Sequence, residues 1–149
     1  MTVRILVVTL NDQNQLDIDQ TGRANEFCRS DTPYDIHFVL TGTRLGGAEF
    51  CDWDETPPAF AWVDPPPIGV FPLQKLQTKR LLKLLNVNAG QASTGAWRYQ
   101  LSVRRGATVF QTTYNGPAIV VPQADCEALR TADALVHSFA VNNPIIINR

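Results

Sequence analysis

Trp97-Arg98-Tyr99-Gln100-Leu101-Ser102-Val103-Arg104 is the stretch on which the fold turns. Its apolar members, Trp97, Tyr99, Leu101 and Val103, alternate with Arg98, Gln100, Ser102 and Arg104. A period of two puts every bulky side chain on one face of a strand and every polar one on the other. Arg105-Gly106 turns this strand into a second one, from Thr108 to Tyr114. Asn115-Gly116 is a hairpin signal leading to Ala118–Val121, although Pro117 costs that return strand a donor at its start.

Similar runs recur on both sides. Val3–Leu10 is β-branched and apolar, and Leu16-Asp17-Ile18-Asp19 alternates apolar with acidic residues. Tyr34–Thr41 places Tyr34, Ile36, Phe38 and Leu40 on one face and Asp35 and His37 on the other. Phe60–Val63 reads as a short strand, Pro65-Pro66-Pro67 as a stiff connection, and Ile145–Ile147 as a closing strand. Leu73–Val87 carries lysines at helical spacing, but its leucines scatter around a helical cylinder, and strand is favoured after Thr78. From Gln123 to Phe139 the apolar residues follow helical spacing, which predicts one short helix near the C-terminus. The expectation is a single mainly β domain over residues 1–149, folded as a two-sheet antiparallel β-sandwich.

Trp97–Val103, together with the closing Asn143-Pro144-Ile145-Ile146-Ile147-Asn148, is similar to strands of small sandwich proteins with cupredoxin-like or immunoglobulin-like topology. The resemblance implies that architecture and carries over no functional residue. A blue-copper site needs two histidines, a cysteine and usually an axial methionine. Here the histidines are His37 and His137, the methionine is Met1, and no histidine closely follows a cysteine. Zinc fares no better, because no Cys-x-x-Cys or His-x-x-His pair occurs. No metal and no cofactor is expected.

Charge is the second informative pattern. Residues 1–64 hold eleven acidic residues against Arg4, Arg23, Arg29 and Arg44. Residues 65–124 hold no acid, but carry Lys75, Lys79, Arg80, Lys83, Arg98, Arg104 and Arg105. The chain nevertheless has a net charge of only −1. Segregation of this kind bears on partner choice and association more than on fold. Its bland reading is pairing between acidic and basic strands inside one fold. Its sharper reading is self-association between subunits, with Lys75, Lys79, Lys83, Arg98 and Arg104 on the basic side. Asp52, Trp53, Asp54 and Glu55 form the acidic side, and Trp53 and Trp62 are aromatic anchors for such a contact. Exposed edge strands offer a second route to assembly.

Other chemistry is thinly supported. Glu49, Asp52, Asp54 and Glu55 are dense enough for a hard cation but lack a glycine-turned calcium loop. Thr41–Gly47 has neither the P-loop ending nor the dinucleotide spacing, and reads as a turn. Cys126 and His137 are eleven residues apart, about three turns of a helix, and would not meet along one rod. Cys28 with His37 stays geometrically open. Nucleic acid is disfavoured, because alternation puts Trp97 and Tyr99 on the face opposite Arg98, and the isoelectric point is near 6.1.

Cys28, Cys51 and Cys126 are odd in number and widely spaced, so they do not read as a disulfide framework. The apolar run Ile5–Val8 lacks a following cleavage site, and no stretch approaches the roughly 20 apolar residues that span a bilayer. The reducing cytoplasm is the expected home. The expected function is a non-enzymatic interaction or self-assembly module. The alternatives are a small enzyme with an unrecognised site and a binder of anionic ligands or nucleic acid.

Overall fold

Alternation along the first strand sorts its side chains at once: Leu6, Val8 and Leu10 are buried, while Val3 and Ile5 face outward. The computed structural model describes residues 1–114, 126 and 140–149. In chain order the strands are β1 (Thr2–Leu10), β2 (Leu16–Asp19), β3 (Glu26–Phe27), β4 (Tyr34–Leu40), β5 (Glu49–Phe50), β6 (Phe60–Trp62), β7 (Gln74–Thr78), β8 (Leu81–Asn86), β9 (Gly95–Arg105), β10 (Thr108–Gln111), β11 (Ala140–Val141) and β12 (Ile145–Asn148). Short 3₁₀ turns occupy Thr21–Arg23, Thr43–Leu45 and Gln91–Ser93.

The strands form two mixed sheets that do not close into a barrel. The first runs β11-β2-β1-β4-β8-β7 and the second β10-β9-β12-β3. β5 and β6 also pair with β9, so the alternating stretch around Tyr99 organises the second sheet. The expectation of purely antiparallel sheets is corrected in two places. β1 runs parallel to β4, with Leu6 opposite Phe38, and β12 runs parallel to β3. The first parallel pair arises because the chain leaves the first sheet after β2, contributes β3 to the second sheet, and returns beside β1 as β4. A switch between sheets removes the hairpin constraint that forces neighbouring strands to be antiparallel.

One core joins the inner faces. Leu6, Val8, Ile36, Phe38, Leu82 and Leu84 from the first sheet cluster with Tyr99, Leu101, Val103 and Phe60 from the second. The Phe38 ring lies 5.4 Å from Tyr99, and Tyr99 stacks on Phe60 at 5.3 Å. These separations suit aromatic attraction in addition to burial. Trp62, expected as an anchor for a partner, is part of β6 and packs edge-on against Phe60 at 4.9 Å. It belongs to the core margin and is not an exposed anchor.

Polar groups close the end of the molecule near β12. Asn86 on β8 donates to Asn148 Oδ1 at 2.8 Å, and Asn148 returns a bond to Asn86 Oδ1 at 2.9 Å. Asn148 also donates to Ser93 O, while Asn88 donates to Phe27 O. Each of these asparagines is buried, and their mutual bonds satisfy groups that would otherwise be costly to desolvate. At the opposite end the Arg80 guanidinium collects the carbonyls of Leu45, Ala48 and Leu40, fastening the β7–β8 turn to the loop beneath it.

The cysteine expectation is corrected as well. Cys28 and Cys126 form a disulfide, with Cα atoms 5.6 Å apart. Sequence spacing hid the pair because 98 residues separate its members. Disulfides persist in oxidising compartments, so the cytoplasmic expectation loses the support it drew from unpaired thiols. No helix among the described residues is long and apolar enough to cross a membrane. The helix expected over 123–139, the hairpin at Asn115-Gly116, the strand at 118–121 and His137 all lie outside the described residues, Cys126 excepted.

Candidate interaction surfaces

The acidic and basic segments meet inside the molecule. Glu49 on β5 sits directly opposite Arg104 on β9, and its carboxylate lies 2.9 Å from the guanidinium. Arg104 also donates from Nε to Glu55 at 3.0 Å and lies 3.8 Å from Asp52. The Asp52 backbone N–H and then Arg104 hold the Glu55 carboxyl below the ordinary carboxylate range. Lys79 approaches the other oxygen of Glu49 at 3.8 Å.

A second pair lies further along β9. Arg98 donates to Asp64 from Nε at 2.7 Å, from Nη2 at 3.0 Å and from its backbone N–H at 3.0 Å. This two-pronged geometry is the strong form of a charge-assisted hydrogen bond. Bonds from the Arg98 side chain, more than its charge, hold the Asp64 carboxyl below its usual range.

The residues singled out from the sequence therefore do not form one surface. Arg104, Asp52 and Glu55 come together, Arg98 is held by Asp64, and Lys83 lies 3.7 Å from Asp35. Trp53, at 41% exposure, and Asp54 project from the loop beside Arg104. Lys75 is exposed on β7, on the other sheet.

That other sheet carries a surface the sequence reading did not single out. Behind the buried row Leu6–Phe38–Leu82, the outward residues fall in register across neighbouring strands. Ile5 lies beside His37, then Lys83, then Lys75; Val3 lies beside Asp35, then Leu85. Val3, Ile5 and Leu73 are about half exposed, at 52%, 56% and 50%. At the centre His37 Nε2 is 3.0 Å from Asp35 Oδ2. On one side β2, with only the two-residue β11 beyond it, presents Asp17 and Asp19; on the other, β8 and the edge strand β7 present Lys83 and Lys75. In β1 both alternating sets are apolar, so period alone did not separate a buried face from an exposed one.

Reactive groups are muted. Cys28 is consumed by the disulfide, so the open pairing with His37 is closed, and His37 meets Asp35 instead. Cys51 is buried, and burial first, then the Glu55 charge, pushes its thiol up to about 11. A thiol so disfavoured from ionising is a poor nucleophile. Among the described residues no group of three or more His, Cys, Asp or Glu is arranged to hold a metal ion. Of the acidic residues expected to suit a hard cation, Glu49, Asp52 and Glu55 turn on Arg104 instead, and Asp54 is exposed. Comparison with protein-family models, curated proteins and solved structures gives no match.

Proposed function

We propose that this chain is a non-enzymatic interaction module that self-associates, and that the outer face of the first sheet is where it does so. One observation carries the reading: Val3 and Ile5 stand exposed side by side on β1, on a sheet face flanked by acidic Asp17 and Asp19 on β2 and by basic Lys75 on β7. Neighbouring exposed hydrophobes beside charges of opposite sign are a mark of association, whereas isolated exposed hydrophobes are ordinary. Much of the charge segregation is taken up by pairs within the chain, and on this face Asp17, Asp19 and Lys75 are charges that remain to guide a partner.

We take the packing of the two sheets to be that of a sandwich of cupredoxin-like or immunoglobulin-like kind. Support comes from the aromatic contacts between inner faces and from the resemblance at Trp97–Val103 and Asn143–Asn148.

Light scattering on the eluting protein, at low salt and near 1 M salt, tests the module reading. Association at low salt that weakens when the Debye length shrinks to roughly 3 Å is the expected result. Reversing Lys75 to glutamate reduces it further, whereas Lys79 and Lys83 are already taken up by Glu49 and Asp35. A monomer at high concentration and low salt overturns the reading.

A further inference from the structure

We propose that the partner is a second copy, docked face to face on the outer side of the first sheet about a two-fold axis running along β4. This rests on the self-association reading above and adds its symmetry and contacts. Face-to-face docking of a sheet on its own copy allows two in-plane axes. An axis across the strands lays each strand on its own copy, so Asp17 and Asp19 face Asp17 and Asp19, and Lys75 faces Lys75. An axis along the strands exchanges the two edges. With strand order β11-β2-β1-β4-β8-β7, the axis over β4 lays β2 on β7 and β1 on β8, and the two-residue β11 falls outside the overlap. Opposite charges then meet at both edges, where the cross-strand axis would have set like on like.

The register makes the apolar contacts specific. Val3 shares its row with Leu85, and Val7 shares its row with Val39 and Leu81. Exchange of β1 and β8 therefore sets Val3 on the partner's Leu85 and Val7 on the partner's Leu81. Ile5 falls on the aliphatic stem of the partner's Lys83, a contact lysine makes while its ammonium stays wet. Asp19, one place beyond the Val8–Ile18 pair, comes within one row of the partner's Lys75. The one like pair falls at the axis, where the two Asp35 carboxylates approach, and each is offset by its own Lys83 at 3.7 Å and His37 at 3.0 Å.

Edge-to-edge assembly is the competing arrangement, and β7 resists it. That edge carries exposed Lys75 and a register shift between Leu76 and Thr78, both of which discourage strand addition. Size sets the strength. Five strands about 4.8 Å apart, each with about seven residues rising roughly 3.3 Å, span roughly 24 by 23 Å. A face of that size lies below the roughly 800 Å² per partner of a standard interface, so the dimer is weak and concentration-dependent.

The test uses the full chain and two exposed substitutions, Asp19→Lys and Lys75→Glu, with circular dichroism confirming that each variant is folded. Sedimentation equilibrium at low salt reads the dimer constant. Each variant alone weakens the dimer about tenfold, since each reversal acts twice across the axis. A 1:1 mixture restores wild-type affinity as a heterodimer, because both edges are again complementary. Dimers that ignore the reversals, a mixture that fails to recover, or species larger than a dimer overturn the two-fold docking while leaving self-association standing. A wild-type monomer throughout overturns both.

Discussion

Glu49 and Arg104, 55 residues apart in sequence, face each other across the β5–β9 ladder, and their side chains close at 2.9 Å. The contact joins the acid-rich segment to the acid-free one within a single molecule. The same holds at Asp64 with Arg98 and at Asp35 with Lys83. Net charge by segment is therefore a poor guide to the charge a partner meets.

The Arg98–Asp64 pair predicts an acid limb in stability. The Asp64 carboxyl is held below its ordinary value in the fold, so the unfolded chain binds its proton at higher pH. The contribution is fully present above the ordinary aspartate range and is lost as pH falls through the folded value. Urea unfolding across a pH series is expected to show Asp64→Asn less stable than wild type at neutral pH. The difference should shrink on acidification.

The Asn86–Asn148 pair predicts coupled losses. Asn86→Ala leaves buried amide atoms of Asn148 without their partner, a cost of about 1–3 kcal/mol. Adding Asn148→Ala should cost less than its effect alone, and a double-mutant cycle by chemical denaturation measures the difference.

Tyr99 predicts a gain. Its hydroxyl is fully buried between the sheets with no hydrogen-bond partner among the described residues, and burial drives its pKa upward. Tyr99→Phe removes the unsatisfied group while keeping the ring contacts with Phe38 and Phe60. Stability should rise by about 1 kcal/mol, read as a higher unfolding midpoint. Phe38→Ala, by contrast, should cost about 3–5 kcal/mol through lost packing.

The disulfide predicts a redox-dependent stability. Closing a span of 98 residues restricts the unfolded chain, and its loss should cost about 2–5 kcal/mol. Unfolding midpoints with and without reductant measure this. Peptide mapping of unreduced protein should recover Cys28 linked to Cys126, with Cys51 resistant to alkylation until the protein unfolds.

The strands around Tyr99, Phe38 and Leu82 were legible because each shows apolar residues at every second position. The two-residue strands β3 and β5 were not, since two residues are too few to display a period. β7 was missed for another reason. Gln74 to Thr78 lies on an edge with little burial, so nothing selected apolar residues there. Of the candidate residues, the charges were visible but their partners were not: Arg98 gives no sign of Asp64, 34 residues away.

By itself the sequence determined a mainly β chain, the inward face of most longer strands and the segregation of charge. All three follow from local composition and from the two-residue repeat of an extended backbone. Tertiary structure decided that β1 lies parallel to β4, that Cys28 meets Cys126, that acids and bases neutralise one another, and that Val3 and Ile5 stay outside. These depend on which distant segments become neighbours. An alternating strand can present the same pattern to a parallel or an antiparallel partner, so only the packing of the whole chain selects between them.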